Sequence, residues 1–350
     1  MAHKTLVGGT AYNISRGKSM VSGTAYNIKG GRTLVGGTGY NISFGRSGEP
    51  TAMLYSDGNM AFQLGNSVES GKTLMANFTG FENATYWTES EIPWNIWKSS
   101  IKNIYCLDEI SFTNLARIFN GCSKLYSFNY ENFNVNRATN MYRTFYGCTN
   151  FVGYPICGDK ITEMQYAYYL CSNLTGSPVC GNNVTSMFGT YFGCRNLTGS
   201  PVCGNKVTTM HETYRSCYNL TGCAIAGSNV LDISHAYTSC NNIAANAYFY
   251  SPNITNASCC FFLKNSSTKR LNIYVPANSI TNTTVHYTNG SSIVGLNVTW
   301  TNAGSYQYST VCNIYIYPVA NVAAAAIANG DEEANANAGI TTGSNIPVHQ

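Results

Sequence analysis

Residues 184–201 read Val-Thr-Ser-Met-Phe-Gly-Thr-Tyr-Phe-Gly-Cys-Arg-Asn-Leu-Thr-Gly-Ser-Pro. Residues 207–222 repeat this pattern as Val-Thr-Thr-Met-His-Glu-Thr-Tyr-Arg-Ser-Cys-Tyr-Asn-Leu-Thr-Gly. The two units lie 23 residues apart, as the positions of Met187 and Met210 show. A fixed period of this length is typical of a solenoid, in which each unit stacks on the previous one to bury its apolar face. The sequence therefore predicts a mainly β fold built around a short solenoid of about 23-residue units.

Several columns of the repeat stay constant from unit to unit. Counted from the methionine, an aromatic residue follows after four positions, a cysteine after seven, an asparagine after nine and an apolar residue after ten. We assign the methionine, aromatic and cysteine columns to the core, and we expect the asparagines to satisfy backbone groups inside the turn. The columns are Met141, Met164, Met187, Met210 and Ile233; Phe145, Tyr168, Tyr191, Tyr214 and Tyr237; Cys148, Cys171, Cys194, Cys217 and Cys240; and Asn150, Asn173, Asn196, Asn219 and Asn242.

Eight of the 14 cysteines fall in two such columns, the second being Cys157, Cys180 and Cys203. Neighbours in a column are separated by the strand spacing of about 4.8 Å, which is within disulfide range. An odd-numbered column cannot pair fully, however, and buried reduced cysteine behaves as a small apolar residue. We therefore expect reduced core cysteines. A zinc site is not favoured, because the sequence has no Cys-x-x-Cys pair.

The two positions after each methionine vary while the rest of the unit does not. Such variation indicates solvent exposure, and aligned positions of a solenoid commonly form an extended binding surface. The residues present include aromatic rings and arginine, which are enriched at interfaces. The same columns are also compatible with a surface that has no ligand. The candidate binding surface consists of Tyr142, Arg143, Gln165, Tyr166, Phe188, His211, Glu212 and His235.

Composition excludes several classes of partner. Charged residues make up only 10% of the chain, where about 25% is typical. The net charge of +4 is spread without a Lys/Arg run, so no nucleic-acid partner is predicted. No stretch approaches the roughly 20 apolar residues of a membrane span, and the N-terminus lacks the apolar core of a secretory signal. If the protein acts outside a cell, we expect it to leave by another route than the ordinary secretory pathway.

Catalytic signatures are missing from the sequence. The five histidines show no HxxxH or HExxH spacing, and no G-x-S-x-G motif occurs. Glu163 and Asp232 share a column three units apart, so about 14 Å separates them. A glycosidase needs its two carboxylates roughly 5–10 Å apart. The sequence therefore predicts no enzyme, no cofactor and no metal.

The N-terminal part of the chain consists of a second, shorter repeat and a segment without a repeat. Residues 1–46 repeat a glycine- and tyrosine-rich 14-residue unit, with Gly9, Gly23 and Gly37 in register, and are predicted to be a β-repeat attachment module. Residues 47–112 form a β-rich N-terminal cap, in which Asp57-Gly58 marks a turn between two strands and Trp94 and Trp97 cover the solenoid end.

The solenoid is assigned to residues 113–262. Residues 263–318 form a β cap, with alternating strands predicted from Lys269, Ile293 and Cys312. Residues 319–350 are an Ala/Asn/Gly-rich tail that is expected to be disordered by itself. Within this tail, Val322–Ala328 has the composition of two helical turns, which Asn329-Gly330 would end.

The lead-in Pro93-Trp94 with Ile101-Lys-Asn-Ile, followed by repeats of the form Val-Thr-x-Met-x-x-x-Tyr-x-x-Cys-x-Asn-Leu-Thr-Gly-x-Pro, resembles the BspA-type leucine-rich repeat family. The resemblance covers residues 52–262 and implies a right-handed solenoid with one short strand per repeat. Members occur in surface proteins of bacteria and protozoa and in tail-associated phage proteins. The N-terminal glycine-tyrosine units and the segment Ile314-Tyr-Ile-Tyr-Pro-Val resemble the phage members.

The resemblance implies a non-enzymatic structural protein of a phage virion, associated with the tail or capsid and made in the host cytoplasm. Its residues 1–46 would bind other virion proteins, and its leucine-rich-repeat surface would serve host attachment by binding a cell-surface glycan or protein. Association with further copies of the chain stays open. The alternative is a bacterial cell-surface adhesin. A polysaccharide depolymerase is disfavoured because the carboxylate pair is missing.

Overall fold

The computed structural model describes residues 48–82, 88–257, 260–261, 271–276, 317 and 319–340 in full, and elsewhere only the backbone of the strands named below. The chain divides into two units, Met1–Gly48 and Glu49–Gln350. The larger unit is a mainly β solenoid of stacked coils that ends in two short helices. The predicted fold class is confirmed at this level.

The N-terminal unit contains three antiparallel hairpins. Each pairs two strands across a two-residue connection that ends in glycine, and short connections of this kind suit glycine. The strands predicted for the 14-residue repeat are therefore confirmed, while the packing of their side chains lies outside the described residues. The hairpins are β1 (His3–Val7) with β2 (Thr10–Ile14), β3 (Lys18–Val21) with β4 (Thr24–Asn27), and β5 (Gly31–Val35) with β6 (Thr38–Ile42).

A sheet covers the N-terminal end of the solenoid. Its antiparallel part is made of β7 (Pro50–Tyr55), β8 (Asn59–Leu64) and β9 (Leu74–Thr79). The turn between β7 and β8 contains Asp57 and Gly58, as predicted. Two 3-10 turns, Glu89–Glu91 and Asn95–Trp97, follow. Trp94 is fully buried beneath the sheet, and its indole Nε1 donates to the Ile118 carbonyl at 2.6 Å.

Parallel strands connect this sheet to the first coils. The strands are β10 (Asn103–Cys106), β11 (Ile110–Ser111), β12 (Ser127–Phe128) and β13 (Phe133–Asn134). β10 pairs with both β8 and β12, and β11 pairs with β13, all in parallel. The cap and the solenoid therefore share one continuous core.

Turns rather than strands build the central coils. One residue per coil forms a parallel bridge, in the order Asn140, Glu163, Ser186, Thr209, Asp232 and Asn256. After the bridge, alternate backbone amides reach the next coil, as Arg143 N does to Gln165 O at 3.1 Å. The intervening amides close turns within the coil. The short strand implied by the resemblance is thus reduced to a single residue here.

The aromatic column forms a continuous stack through the core. Neighbouring ring centroids from Phe119 to Phe261 are 5.3–5.7 Å apart. Each tyrosine hydroxyl in this stack also bonds to both the amide and the carbonyl of the residue twelve positions earlier, as Tyr191 does to Val179 at 3.0 and 2.7 Å. Phe145 has no hydroxyl, and the amide of the corresponding residue Phe133 donates instead to the Tyr130 carbonyl at 3.0 Å. The predicted aromatic and methionine core columns are confirmed.

The cysteine column is buried, as predicted, and it has a polar role as well. Each thiol donates to the carbonyl of the aromatic residue in the previous coil, as Cys194 Sγ does to Tyr168 O at 3.0 Å. Within the described residues, no disulfide links the cysteines. The second column differs from the prediction in part, because Cys203 is buried whereas Cys157 and Cys180 are half-buried.

The asparagine column is not inside the turn, and this prediction is wrong. Four of its five members are exposed, although Asn150 Nδ2 does donate to the Ser123 carbonyl of the previous coil at 2.8 Å. An exposed threonine column behaves similarly, with Thr185 Oγ1 donating to Thr162 O at 3.1 Å. Identical side chains stack along these columns at about 4.8 Å, and like charges that directly oppose each other are destabilising. Neutral amides and hydroxyls avoid this repulsion, which explains the low charge content.

The parallel sheet continues beyond the last regular coil. It contains β14 (Ala224–Ala226), β15 (Asn246–Phe249), β16 (Lys269–Pro276) and, after an antiparallel hairpin of β17 (Asn282–Thr288) and β18 (Ile293–Thr299), β19 (Cys312–Val319). The order is β14-β15-β16-β19. The three strands predicted in residues 263–318 are confirmed, and two of them extend the stacking of the coils.

The described part of the tail, residues 319–340, is folded onto the solenoid, and the expectation that it is disordered by itself stays a prediction. Helix α1 (Val322–Ala328) ends at Asn329-Gly330, as predicted, and α2 (Glu333–Asn337) follows. The reason for docking is that small apolar side chains line one side of both helices and are buried, among them Ala326 and Ala334. Asp331 accepts hydrogen bonds from Asn246 Nδ2 and the Tyr248 hydroxyl, both at 2.6 Å.

Candidate binding surface

The two variable columns lie side by side on the outside of the turn that follows each bridge. Their predicted members Tyr142, Arg143, Gln165, Tyr166, Phe188, His211, Glu212 and His235 are all half-buried rather than fully exposed. Most of these side chains lie against each other across the coils. Gln165 lies in the same column as Tyr142 and Phe188, and its backbone amide donates to Glu163 Oε1 at 3.2 Å.

Aromatic side chains in the variable columns form a chain of edge contacts. Tyr166 contacts Tyr142 at 6.1 Å and Phe188 at 5.0 Å between ring centroids, with interplanar angles of 80° and 66°. The chain continues from Phe188 to His211 at 4.6 Å and from His211 to His235 at 5.8 Å. The structure therefore brings these predicted residues together into one surface over five coils.

A third column, five positions after the methionine, belongs to the same surface and was missed from the sequence. Its rings stack face to face, Tyr146 on Tyr169 at 4.8 Å and Tyr169 on Phe192 at 4.5 Å. Arginine guanidinium groups cover the two ends of this stack, Arg143 over Tyr146 at 5.0 Å and Arg215 over Phe192 at 5.4 Å. The signal that the sequence offered was an aromatic residue at this position in three successive units. We call the surface formed by Tyr142, Arg143, Tyr146, Tyr166, Tyr169, Phe188, Phe192, His211, Glu212, Arg215 and His235 the aromatic face.

The backbone of the aromatic face is strained at one position in every coil. The second variable column has φ between +54° and +63° in six successive coils, at Arg117, Arg143, Tyr166, Gly189, Glu212 and His235. Only glycine adopts this left-handed conformation without cost, and other residues lose roughly 1 kcal/mol or more. Five of the six positions nevertheless carry a long side chain. Retention of side chains against this cost is a sign of function at the surface.

Arg143 has an unusual environment for a cation. Its guanidinium lies 5.0–5.3 Å from the centroids of the Tyr142, Tyr146 and Tyr166 rings. Its Nε atom is buried without a hydrogen-bond partner, and within the described residues the side chain forms no ion pair. Arg215, by contrast, is paired with Glu212. The charge of Arg143 is thus held in place by aromatic rings and is not neutralised by a described carboxylate.

Tyrosines occur on both sides of the turn and differ in the use of their hydroxyls. Each of the four core tyrosines makes two hydrogen bonds through its hydroxyl. No described residue bonds to the hydroxyls of Tyr142, Tyr146, Tyr166 or Tyr169. Burial raises the pKa of Tyr166 and of Tyr169. The hydroxyls of Tyr166 and Tyr169 therefore stay protonated at neutral pH and are available as donors.

The C-terminal end of the aromatic face brings together Ser, His and Asp side chains, but not as a catalytic triad. His211 Nδ1 lies 2.5 Å from Ser234 Oγ, and Ser234 Oγ donates to Asp232 Oδ1 at 2.6 Å. A nucleophilic serine requires the histidine between it and the carboxylate. Here the serine lies in the middle and is 1% exposed. The arrangement orients the His211 ring and does not activate a nucleophile.

Two further observations concern metal binding and membrane crossing. Among the described residues, no three His, Cys, Asp or Glu side chains lie close enough together to hold a metal ion. In the same part of the chain, no helix has the length and apolar character that crossing a bilayer requires. The aromatic face is the feature that sets this surface apart from the neutral Asn and Thr columns. No family model, curated protein or solved structure matches the chain.

Proposed function

We propose that this protein is a non-enzymatic structural protein of a phage virion and that its aromatic face binds the surface of the host cell. The observation that carries the recognition role is the contrast between two tyrosine columns of the same coils. Core hydroxyls are fully used by the protein, whereas four hydroxyls of the aromatic face have no partner among the described residues. An extended row of unused donors is suited to a polar ligand that lies along several coils.

The placement in a virion rests on the sequence resemblance. On this proposal the coils are BspA-type leucine-rich repeats of about 23 residues, residues 1–46 attach the protein to other virion proteins, and the solenoid faces outward. The protein is made in the host cytoplasm and reaches the medium when the cell lyses. A bacterial surface adhesin would use the aromatic face in the same way, and is distinguished by immunogold imaging of purified particles and of intact cells.

A depolymerase is the least supported alternative. A hollow lined by Glu109, Asn132, Phe133 and Asn134 contains one carboxylate, and Asn134 Nδ2 donates to it at 2.7 Å. Glycoside hydrolysis requires two carboxyl groups across the scissile bond. Incubation of the protein with host wall glycans should release no reducing ends, and steady release would overturn the non-enzymatic assignment.

Host binding is tested with a triple variant of the aromatic face. Tyr142, Tyr166 and Phe188 are replaced together by serine, and binding of the full-length protein to host envelopes is measured by sedimentation. The matched control replaces three exposed tyrosines outside the aromatic face, Tyr126, Tyr154 and Tyr218. We expect the first variant to lose at least tenfold in affinity and the control to bind as the parent does. Equal binding by both folded variants would refute the proposal.

A further inference from the structure

We infer that the ligand of the aromatic face is an acidic polysaccharide whose carboxylate groups are bound by Arg143 and the neighbouring phenol hydroxyls. This inference rests on the proposed recognition function and names its ligand class. Three properties of the surface lead to it: an unneutralised guanidinium, a set of unused hydroxyl donors, and a low density of positive charge.

The guanidinium of Arg143 is prepared for an anion. Three tyrosine rings within 5.3 Å of it restrict its motion, so little conformational entropy is lost when a ligand binds. A partly buried cation without a counter-ion is costly, and a ligand carboxylate would remove that cost. The planar fork of a guanidinium also matches a carboxylate in two parallel hydrogen bonds. Lysine would not offer this geometry.

The hydroxyls next to Arg143 extend the site along the coils. Tyr146 and Tyr169 stack with their ring faces against each other, so these two rings offer their edges and hydroxyls to a ligand rather than their faces. Such edges suit a chain of hydroxyl groups better than an apolar partner. A polysaccharide supplies hydroxyls and ring oxygens at every residue, and the phenols donate to or accept from them.

The low density of cations separates this ligand from a phosphate polymer. Arg143 and Arg215 are three coils apart, which corresponds to about 14 Å at the strand spacing, and Glu212 neutralises Arg215. A protein that binds a polymer with a phosphate in each unit neutralises many of these phosphates with Lys or Arg side chains. Arg117, one coil before Arg143, also lies over the Tyr142 ring, at 4.7 Å. Within the aromatic face, however, Arg143 is the one arginine that no described carboxylate neutralises, and such sparse positive charge among many hydroxyls fits a sugar chain with a carboxylate at intervals.

The test uses the full-length protein and envelopes of the host bacterium, of which one portion stays untreated and the rest is digested with protease so that polysaccharides remain. One portion is treated with carbodiimide and an amine, which converts carboxylates to neutral amides, and another with cold hydrofluoric acid, which removes phosphodiester-linked polymers. We expect amidation to lower binding at least tenfold and acid treatment to leave it unchanged. Arg143→Gln should bind untreated envelopes as weakly as the parent binds amidated ones, while Arg137→Gln, at an exposed arginine outside the aromatic face, should behave as the parent.

The outcomes separate the two proposals. Binding that depends on Tyr142, Tyr166 and Phe188 but survives amidation, or is unaffected by Arg143→Gln, would overturn the acidic ligand and leave host recognition intact. Loss of binding after acid treatment alone would assign a phosphate polymer, and loss after protease alone would assign a protein, and either result overturns the inference. No binding of the parent to untreated envelopes would overturn the recognition function itself.

Discussion

Removal of one hydroxyl from the core aromatic stack, in the substitution Tyr237→Phe, should destabilise the solenoid far more than the same change on its surface. The Tyr237 hydroxyl accepts from the amide of Ile225 at 3.0 Å and donates to its carbonyl at 2.7 Å, and both backbone groups are buried. A buried group left unpaired costs about 1–3 kcal/mol, so losing the shared partner of two groups should cost about 2–6 kcal/mol.

The loss of stability should be smaller where the bonded backbone groups are less deeply buried. Tyr191 makes the same pair of bonds to Val179, which is half-buried, so water can replace part of the loss in Tyr191→Phe. We expect about 1–2 kcal/mol there. Tyr169→Phe removes a hydroxyl that has no described partner and should stay within about 0.5 kcal/mol of the parent.

The free energy of unfolding is measured by urea titration, with agreement between circular dichroism and tyrosine fluorescence as the check of two-state behaviour. The predicted order of loss is Tyr237→Phe, then Tyr191→Phe, then Tyr169→Phe. Equal losses for Tyr237→Phe and Tyr169→Phe would show that the core hydroxyls contribute nothing specific, and would also remove the contrast on which the recognition function is based.

Three further predictions concern Gly181, the half-buried carboxyl of Glu163 and the tail. Gly181→Ala should cost about 1–3 kcal/mol in the same titration, because a Cβ atom would lie 2.9 Å from Cys157 Sγ and 3.0 Å from a backbone carbonyl of the previous coil; an unchanged urea midpoint would contradict the close packing. Burial raises the pKa of Glu163 above its ordinary 4.5, so the folded state binds this proton more tightly than the unfolded state, and the associated stability is lost as the pH rises through the raised value. Glu163→Gln should therefore raise the melting temperature at pH 7 but not below pH 4.5, and a pH-independent difference would refute the assignment. Asp331→Asn should weaken the docking of the tail by about 1–3 kcal/mol, since two hydrogen bonds lose a charged acceptor. Limited proteolysis should then cut the tail earlier than in Glu332→Gln, and equal rates of cleavage would argue against a role of Asp331 in docking.

Much of the solenoid could be predicted from the period. A residue that recurs at the same position of every unit, such as the methionine or the cysteine, must satisfy the same environment in every coil, and for large apolar side chains that environment is the core. The variable columns could be identified by the same logic, and the structure does bring Tyr142, Tyr166 and Phe188 together. The asparagines were misassigned because recurrence alone does not distinguish a buried polar group from an exposed one.

Contacts between residues that are distant in the chain could not be predicted from the sequence. The docking of the tail depends on Asp331 and its partners about 85 positions earlier, and no local pattern marks such a pair. The strained column could not be recognised either, because five of its six residues are not glycine and its conformation is imposed by hydrogen bonds to the adjacent coil.

The sequence by itself determined that the chain stacks coils and which columns build the core, because a repeated unit must bury the same apolar side chains each time it recurs. Its composition also determined that the surface is poor in charge. Only the tertiary structure decided which tyrosine hydroxyls are used and which remain free. Tyr168 and Tyr169 are adjacent in the chain, yet the first points to a backbone amide and carbonyl in the core and the second stacks on the outside. That difference arises from the turn of the coil between them, and the aromatic face depends on it.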